Sequence, residues 1–483
     1  MNLYNTLTRK VEEFKPISGK KVGMYTCGPT VYSYITIGNW RTYFLGDLLV
    51  RVLKYMGYEV DYIMNITDVG HLTGDNLGDA DVGEDRLEKA AKKEGKTAWE
   101  ISKFYTKDFL KGFDALNLIK PRKFTVATEY IKDQIKLVEK IEKKGFSYKI
   151  SDGIYFDTGA YERAGNKYGE LSNLEEIKDG ARIKKNPEKK DPRDFALWKF
   201  SPTTRSTSSG VPKRHMEWNS PWGVGFPGWH VECSAMGLKE LGEQFDLHVG
   251  GEDLRSTHHP NEIAQSESAT NKKPFVSHWV HGAFLTVDGG RMGKSLGNAY
   301  TLGDISKKGF SALDLRYFYL TGHYKKPLNF TWKALEAAQV AYKNMIESFA
   351  SAGKEKERQG LSEEKLVKVD KFREKFSRAV GNDLAMPEAV AVTWEVLKSN
   401  IPGRDKYDLV LEFDRVLGLN LASSNQGLAS SFKIPEEVKR LVEEREMLRR
   451  EKKWDEADRV REKIEKQGYL LEDVGGETKI KKK

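Results

Sequence analysis

The sequence predicts an α/β protein built on a parallel sheet covered by helices, and three consecutive segments carry that prediction. The apolar run KVGMYTCGPTVY (21–32) is rich in β-formers and breaks at Gly28-Pro29. NWRTYFLGDLLVRVLKYMGY (39–58) then places Leu, Val and Tyr at helical spacing, and YEVDYIMNIT (58–67) reads as a second strand with a polar C-terminal edge. Strand, Gly-containing turn, helix and strand make a βαβ unit, whose crossover requires parallel pairing. Ligands of such sheets sit beyond the strand C-termini. Residues Cys27–Asn39 and Asn65–Asp68 are therefore expected to share one crevice.

The remaining elements follow in order. Residues 83–147 are charged and helical in pattern, whereas 147–200 alternate short β-like runs with turns, as an insertion into the sheet would. A polar loop, SPTTRSTSSGVPKR (201–214), precedes a second strand and helix series at FDLHVGG and WVHGAFLTVD. From 331 the apolar residues recur three and four apart, which predicts a helical bundle. LASSNQGLASS (421–431) reads as a linker, and the segment from Ile434 as a helical hairpin with a short extended end and a flexible basic KIKKK tail.

Composition bounds the function classes. The chain has 483 residues, 31% charged against 39% hydrophobic, in the range of folded globular proteins and with room for several domains. No window approaches the ~18 uninterrupted apolar residues of a membrane span, and the first residues, MNLYNTLTRKVEEFKP, mix acids and bases where a secretory leader needs an apolar stretch. A cytoplasmic protein without membrane association is expected. Only two cysteines occur, Cys27 and Cys233, so a disulfide framework is excluded. The net charge of +9 permits a polyanionic partner without requiring one.

Two constellations carry chemistry. TCGPTVYSYITIGN (26–39) brings small residues to a strand end and a helix N-terminus, where a nucleotide can approach the backbone and phosphate is favoured. VDGGRMGKSLGN (287–298) is a Gly-rich loop whose Lys294 could stabilise charge developing on a pyrophosphate. The second constellation uses both thiols: Cys27 at a strand end, Cys233 after GWHVE, and H-H-P-N-E (258–262). Pro260 suits a first helical position, which puts His258 just before the helix and Glu262 in its first turn. Two thiolates, an imidazole and a carboxylate fit a Zn²⁺ shell. Two buried free cysteines beside an ordinary helix start would account for the same residues.

Taken together these motifs resemble the bacterial-type cysteinyl-tRNA synthetases, which are class I aminoacyl-tRNA synthetases. The resemblance runs through MYTCGPTVY, NITDVGHLT, DFALWK, FPGWHVECSAM, DLHVGGEDL, HHPNEIAQSE, TVDGGRMGKSLGN and ADRVREKIEKQGYLLED. It implies a Rossmann-type catalytic domain in two halves (1–120 and 215–290) around a connective insertion (121–214). A stem-contact segment (291–330), a tRNA-binding helical bundle (331–420) and an anticodon-binding module (432–483), in which Asp458, Arg459 and Arg461 fall, complete the implied chain. The implied activity is ATP-dependent activation of L-cysteine to cysteinyl-adenylate and transfer to the 3′ end of tRNA(Cys), by a monomer. The segments at 36–39 and 291–295 correspond to the family's H-I-G-H and K-M-S-K-S motifs. Thr36, Arg291 and Lys294 are thereby implied in catalysis, and Gly38, Asn39, Lys294 and Ser295 in binding ATP with its Mg²⁺. One Zn²⁺ held by Cys27, Cys233, His258 and Glu262 is implied, with Gly28, Thr67, Trp229 and His248 around the amino acid.

The chain departs from the family pattern at Thr36, where histidine is usual, and at Arg291 and Gly293, which replace lysine and serine. A hydroxyl donates a hydrogen bond but carries no charge toward a phosphate, whereas arginine keeps the charge. Two other readings stand beside the synthetase: an inactive tRNA-binding relative, motivated by Thr36, and a ligase joining cysteine to an amino-sugar acceptor. The long region after 331 counts against the second, and Lys294 with the four metal-ligand candidates against the first.

Overall fold

The computed structural model describes residues 1–70, 72–73, 84–172, 186–201, 214–355, 362–423, 435–451, 453–474 and 477–482. The chain forms two compact units, Met1–Leu421 and Ala422–Lys483.

The centre of the first unit is a five-stranded sheet. Its strands in chain order are β1 (Lys21–Thr26), β2 (Glu59–Ile66), β3 (Lys123–Val126), β4 (Phe245–Gly251) and β5 (Val276–Gly282). Every neighbouring pair is parallel and the spatial order is β5-β4-β1-β2-β3. This is the doubly wound arrangement that the βαβ pattern predicts. The order reverses between β1 and β4, and a crevice opens where their C-termini part. Helices α1 (Ile37–Tyr55), α2 (Trp229–Leu241) and α3 (His258–Thr270) deliver the site residues to that crevice.

The boundary expected at 120/121 is displaced, because Lys123–Val126 is the edge strand of the central sheet rather than the start of the insertion. The insertion itself is a five-stranded antiparallel sheet over a separate core that includes Ile154, Phe156, Trp198 and Leu197. Two of its strands, Trp218–Ser220 and Gly223–Pro227, lie beyond the boundary expected at 214/215; they extend the hairpin pairing of Phe195–Phe200. The polar loop falls largely outside the described residues. A run read as one strand, WVHGAFLTVD, divides: β5 ends at Gly282, and Leu285–Val287 joins a small sheet with Gly290–Arg291 and Leu328–Phe330.

Four helices, Trp332–Ala352, Glu363–Gly381, Met386–Lys398 and Gly403–Leu417, form the expected bundle. Their apolar faces share one continuous core with α1 and the sheet, from Leu3 to Leu421. A buried ion pair fixes α1 in this frame: the Arg316 guanidinium donates to Asp47 at 2.6 Å and to the carbonyls of Leu417 and Leu116. Asp47 also accepts the Ile119 amide at 2.7 Å.

The second unit packs helices Glu436–Arg450 and Trp454–Lys466 over Val438, Val460, Ile464 and Leu471. It closes with the antiparallel hairpin Tyr469–Val474 and Glu477–Lys482, so the KIKKK end read as a flexible tail is a paired strand through Lys482. Asp458, Arg459 and Arg461 lie on an exposed helix face, where Arg461 donates to Glu465 one turn on.

Candidate active site

The inner end of the crevice is made where β1 runs out. The Cys27 amide continues the sheet by donating to the Val249 carbonyl at 2.9 Å, which turns its side chain toward α3. Gly28 follows because nothing larger fits: a Cβ there would lie 1.8 Å from the Asn65 carbonyl oxygen. Its amide donates to Asn65 Oδ1 at 2.7 Å, and Asn65 Nδ2 donates to Thr67 Oγ1 at 3.1 Å. Thr67 in turn donates to the buried Glu232 carboxylate at 3.0 Å. One chain of hydrogen bonds thus links the ends of β1 and β2 to α2.

Helix α3 begins two residues earlier than Pro260 suggests. His258 is its first residue and Pro260 its third, still within the turn whose amides need no intrahelical acceptor. Consequently His258 and Glu262 stand one full turn apart on the same face, and His258 Nε2 lies 3.0 Å from Glu262 Oε1. The other carboxylate oxygen lies 3.0 Å from His248 Nε2, on β4. Cys233 comes from the first turns of α2 and is buried, as are Cys27, His258 and Glu262.

The donor atoms of Cys27, Cys233, His258 and Glu262 all lie within 4.8 Å of one another, as do those of an overlapping set, Cys27, His248, His259 and Glu262. The four residues that the motif pattern singles out do converge, and the chemistry of the set, two soft thiols with one imidazole and one carboxylate, suits a thiophilic divalent cation. The four groups form one charge cluster. Burial opposes ionisation of Glu262, yet His248 and His258 beside it hold its carboxyl down at about 2. Burial likewise opposes a charged His258, but Glu262 and Cys233 push it up to about 10. The Cys27 thiol is raised by burial, whereas its hydrogen bond to Cys233 lowers the latter, so the pair favours one thiolate.

Sequence reasoning missed the residues that orient these donors. His230 Nδ1 lies 2.9 Å from His258 Nδ1, so one of the two rings donates to the other and the Nε2 edge of His258 is turned to the cluster. His259 Nε2 is 3.4 Å from Cys27 Sγ, and its Nδ1 is 2.7 Å from His281, which reaches Thr6. Trp279 stacks on His248 with centroids 4.6 Å apart, and the half-buried Trp229 covers His258 at 4.4 Å. The signal available was the doubled histidine at 258–259 and the histidines of β4 and β5, His248 and His281. His248 Nδ1 is buried without a hydrogen-bond partner among the described residues.

The mouth of the crevice is built differently. Thr36 is the N-cap of α1, so the helix starts at Ile37 and Gly38 and Asn39 are helical residues, not the turn that a glycine there suggests. Thr36 Oγ1 accepts the Asn39 amide at 3.3 Å and donates to Asn39 Oδ1 at 2.7 Å. The two motifs meet here. The Ile37 amide donates to the Tyr300 carbonyl at 2.8 Å, and a Cβ on Gly38 would stand 3.3 Å from the sulfur of Met292. Glycine at 38 lets the loop 287–298 lie against the helix. Asn298 braces that loop, accepting from the Gly293 amide and donating to the Arg291 carbonyl. Lys294 reaches across to Ser33 Oγ at 2.6 Å, while Arg291 and Ser295 are exposed.

Both parts of the chain are similar to known proteins. Residues 13–340 match the family described as tRNA synthetases class I (C) catalytic domain, and residues 433–480 the family described as cysteinyl-tRNA ligase anticodon binding domain. A cysteine–tRNA ligase from Treponema denticola is 41% identical over 505 aligned residues, covering 100% of this chain and 99% of its own. Cysteine–tRNA ligase 1 from Burkholderia lata is 42% identical, covering 98% and 95%. Among solved structures, a methionyl-tRNA synthetase from Mycobacterium tuberculosis in complex with methionyl-adenylate shares the fold, with a TM-score of 0.53 at 14% identity over 83% of this chain and 90% of that one.

Proposed function

Since this chain belongs to the cysteine–tRNA ligase family of class I tRNA synthetases, we propose that it activates L-cysteine with ATP and transfers the cysteinyl group to tRNA(Cys), with Zn²⁺ at the inner end of the crevice. The convergence of Cys27, Cys233, His258 and Glu262 within 4.8 Å carries this reading. Bound there, zinc supplies a Lewis acid that prefers a soft substrate thiolate to a serine hydroxyl, a discrimination that a hydrogen-bonding pocket makes poorly between near-isosteres.

The chain's own residues account for the rest. Cys27, Cys233, His258 and Glu262 hold the cation, and His230 fixes the ring of His258. Trp229, Gly28 and Thr67 wall the amino acid, and His248 offers its unpartnered Nδ1 to it. The substrate carboxylate attacks the α-phosphorus of ATP, releasing pyrophosphate, and the terminal ribose of the tRNA then displaces AMP. Positioning and charge stabilisation dominate the first step. The N-terminus of α1, with Gly38 and Asn39 in its first turn, takes the nucleotide. Lys294, Arg291 and Ser295 meet the phosphates and the accompanying Mg²⁺. The bundle and the C-terminal module, residues 331–420 and 432–483, grip the tRNA, consistent with the net charge of +9.

ATP–pyrophosphate exchange with cysteine, serine as control and metal content measured on the same sample, tests the reading. Exchange with cysteine alone, at about one zinc per chain, is the expected result. Absence of exchange in a folded, zinc-loaded protein would leave a tRNA-binding protein that has lost its chemistry at Thr36.

A further inference from the structure

The mouth of the crevice holds a second cation that no motif supplies. Lys294 Nζ stands 4.7 Å from the centroid of the Tyr32 ring. The guanidinium of Arg86 stands 5.5 Å from the same centroid, and its Nη1 donates to the Tyr32 hydroxyl at 3.1 Å. Arg86 opens the helix Arg86–Glu94, far from both nucleotide motifs in sequence. Two positive groups thus stand against one ring, and a cation–π contact at an exposed site is only a weak attraction. A carboxylate normally settles such a pair, yet among the residues whose side chains are described neither cation has one. The carboxylate next in sequence, Asp85, is committed elsewhere: it caps the helix through the Leu87 and Glu88 amides and takes the guanidinium of Arg214. An anion with enough charge for both would complete the arrangement.

We propose that Arg86 is a second phosphate-binding residue of this site, meeting with Lys294 the β- and γ-phosphates of ATP that leave as pyrophosphate, and that Tyr32 is the positioning residue holding the two cations at a common anchor. The proposal rests on the adenylation reading and extends it. A planar guanidinium grips two phosphate oxygens at once, which a lysine ammonium does not, so the pair divides the work between orientation and mobile charge. It also gives the mouth a cation from outside the loop 287–298, in a chain that has no histidine at position 36.

Two measurements separate the clamp from the activity: calorimetric titration of the free protein with inorganic pyrophosphate, and cysteine-dependent exchange. Arg86→Ala is expected to weaken pyrophosphate binding about tenfold and to raise the KM for ATP by a similar factor, with the KM for cysteine and the melting temperature unchanged. Arg86→Lys restores part of the affinity. Tyr32→Phe keeps the ring and most of the effect, whereas Tyr32→Leu behaves like Arg86→Ala. Pyrophosphate binding that depends on Arg86 in a protein without exchange would sustain the clamp and refute the activity. Arg86→Ala binding pyrophosphate as tightly as the wild type overturns the clamp, whatever the exchange assay shows.

Discussion

At the inner end of the crevice Cys27, Cys233, His258 and Glu262 are 4%, 2%, 2% and 0% exposed, and each donor is held by a neighbour that is itself buried. At its mouth Lys294, Arg291 and Ser295 are exposed on a loop braced by one asparagine side chain. Under the proposed function, the contrast follows from what each end would have to do. A cluster that selects by coordination has to be assembled before the substrate arrives, so strand ends, a helix start and a shell of histidines over-determine it. A group that stabilises charge appearing only in the transition state gains from moving with the phosphates, so it sits on glycines and short turns. The inner end should therefore answer substitution with loss of stability and metal together, and the mouth with loss of nucleotide binding or rate at little cost in stability.

The largest effect is expected at Glu262. Its two oxygens serve His258 and His248 at 3.0 Å each. Glu262→Gln leaves two buried imidazoles without their charge partner, so zinc is lost and stability falls by about 3–5 kcal/mol, measured by metal analysis and denaturant unfolding. A variant with full zinc and an unchanged midpoint would break the comparison at its stronger side. Lys294→Ala should do the reverse: adenylate formation slows about 10²–10³-fold while the KM for cysteine and the melting temperature stay at the wild-type values. A fall in melting temperature of several degrees would mean that the mouth, too, is part of the frame.

Just past the end of β2 lies Asp68, bonded to Thr128, whose carboxyl is pushed up to about 6 by burial, with Glu232 adding to it, against the Thr128 hydrogen bonds that lower it. A carboxyl raised in the folded state from 3.8 is more readily protonated there than in the unfolded chain. Its stabilising contribution is complete below the unfolded value and is lost as pH climbs through about 6. The shift corresponds to roughly 2–3 kcal/mol lost between pH 4 and pH 7, a loss that Asp68→Asn should abolish. Unfolding free energies of the two proteins at these two pH values decide it; parallel pH profiles would show that the Asp68 carboxyl is not held raised in the folded protein.

How much of this was legible in the sequence depends on whether the information was local. The βαβ unit was, because strand, turn and helix periodicities are properties of short windows, and so were Cys27, Cys233, His258 and Glu262 once the motifs were read together. The strand Lys123–Val126 was not: a four-residue edge strand between long helices carries too little pattern to separate it from the insertion. Nor was the start of α3, where Pro260 marks a first helical turn equally well at two neighbouring registers. The roles of His230, His259 and His281 were illegible for a different reason. They are set by which elements the fold brings together, α2, α3 and β5, and a histidine on any of these has no local signature of the ring it will meet.

Thr36 is where the comparison can be sharpened with the smallest effect. The structure gives its hydroxyl a task the motif comparison overlooks: it caps α1 by accepting the Asn39 amide and spends its own proton on Asn39 Oδ1. Little is left to offer a phosphate, so under the proposed function the burden of charge would fall on Lys294, Arg291, Arg86 and the helix N-terminus. Thr36→His exchanges a good cap for a poor one at a cost of about 1 kcal/mol in stability, and adds a group that can bring positive charge to the nucleotide. Adenylate formation at saturating ATP should rise several-fold, worth about 1 kcal/mol of transition-state stabilisation, while the melting temperature drops slightly. That split, faster but less stable, is what a mouth built for rate and only incidentally for stability requires. Exchange that is unchanged or slower in Thr36→His would show instead that the cap holds α1 in its catalytic position, and that the outer end of the crevice is as dependent on its frame as the inner one.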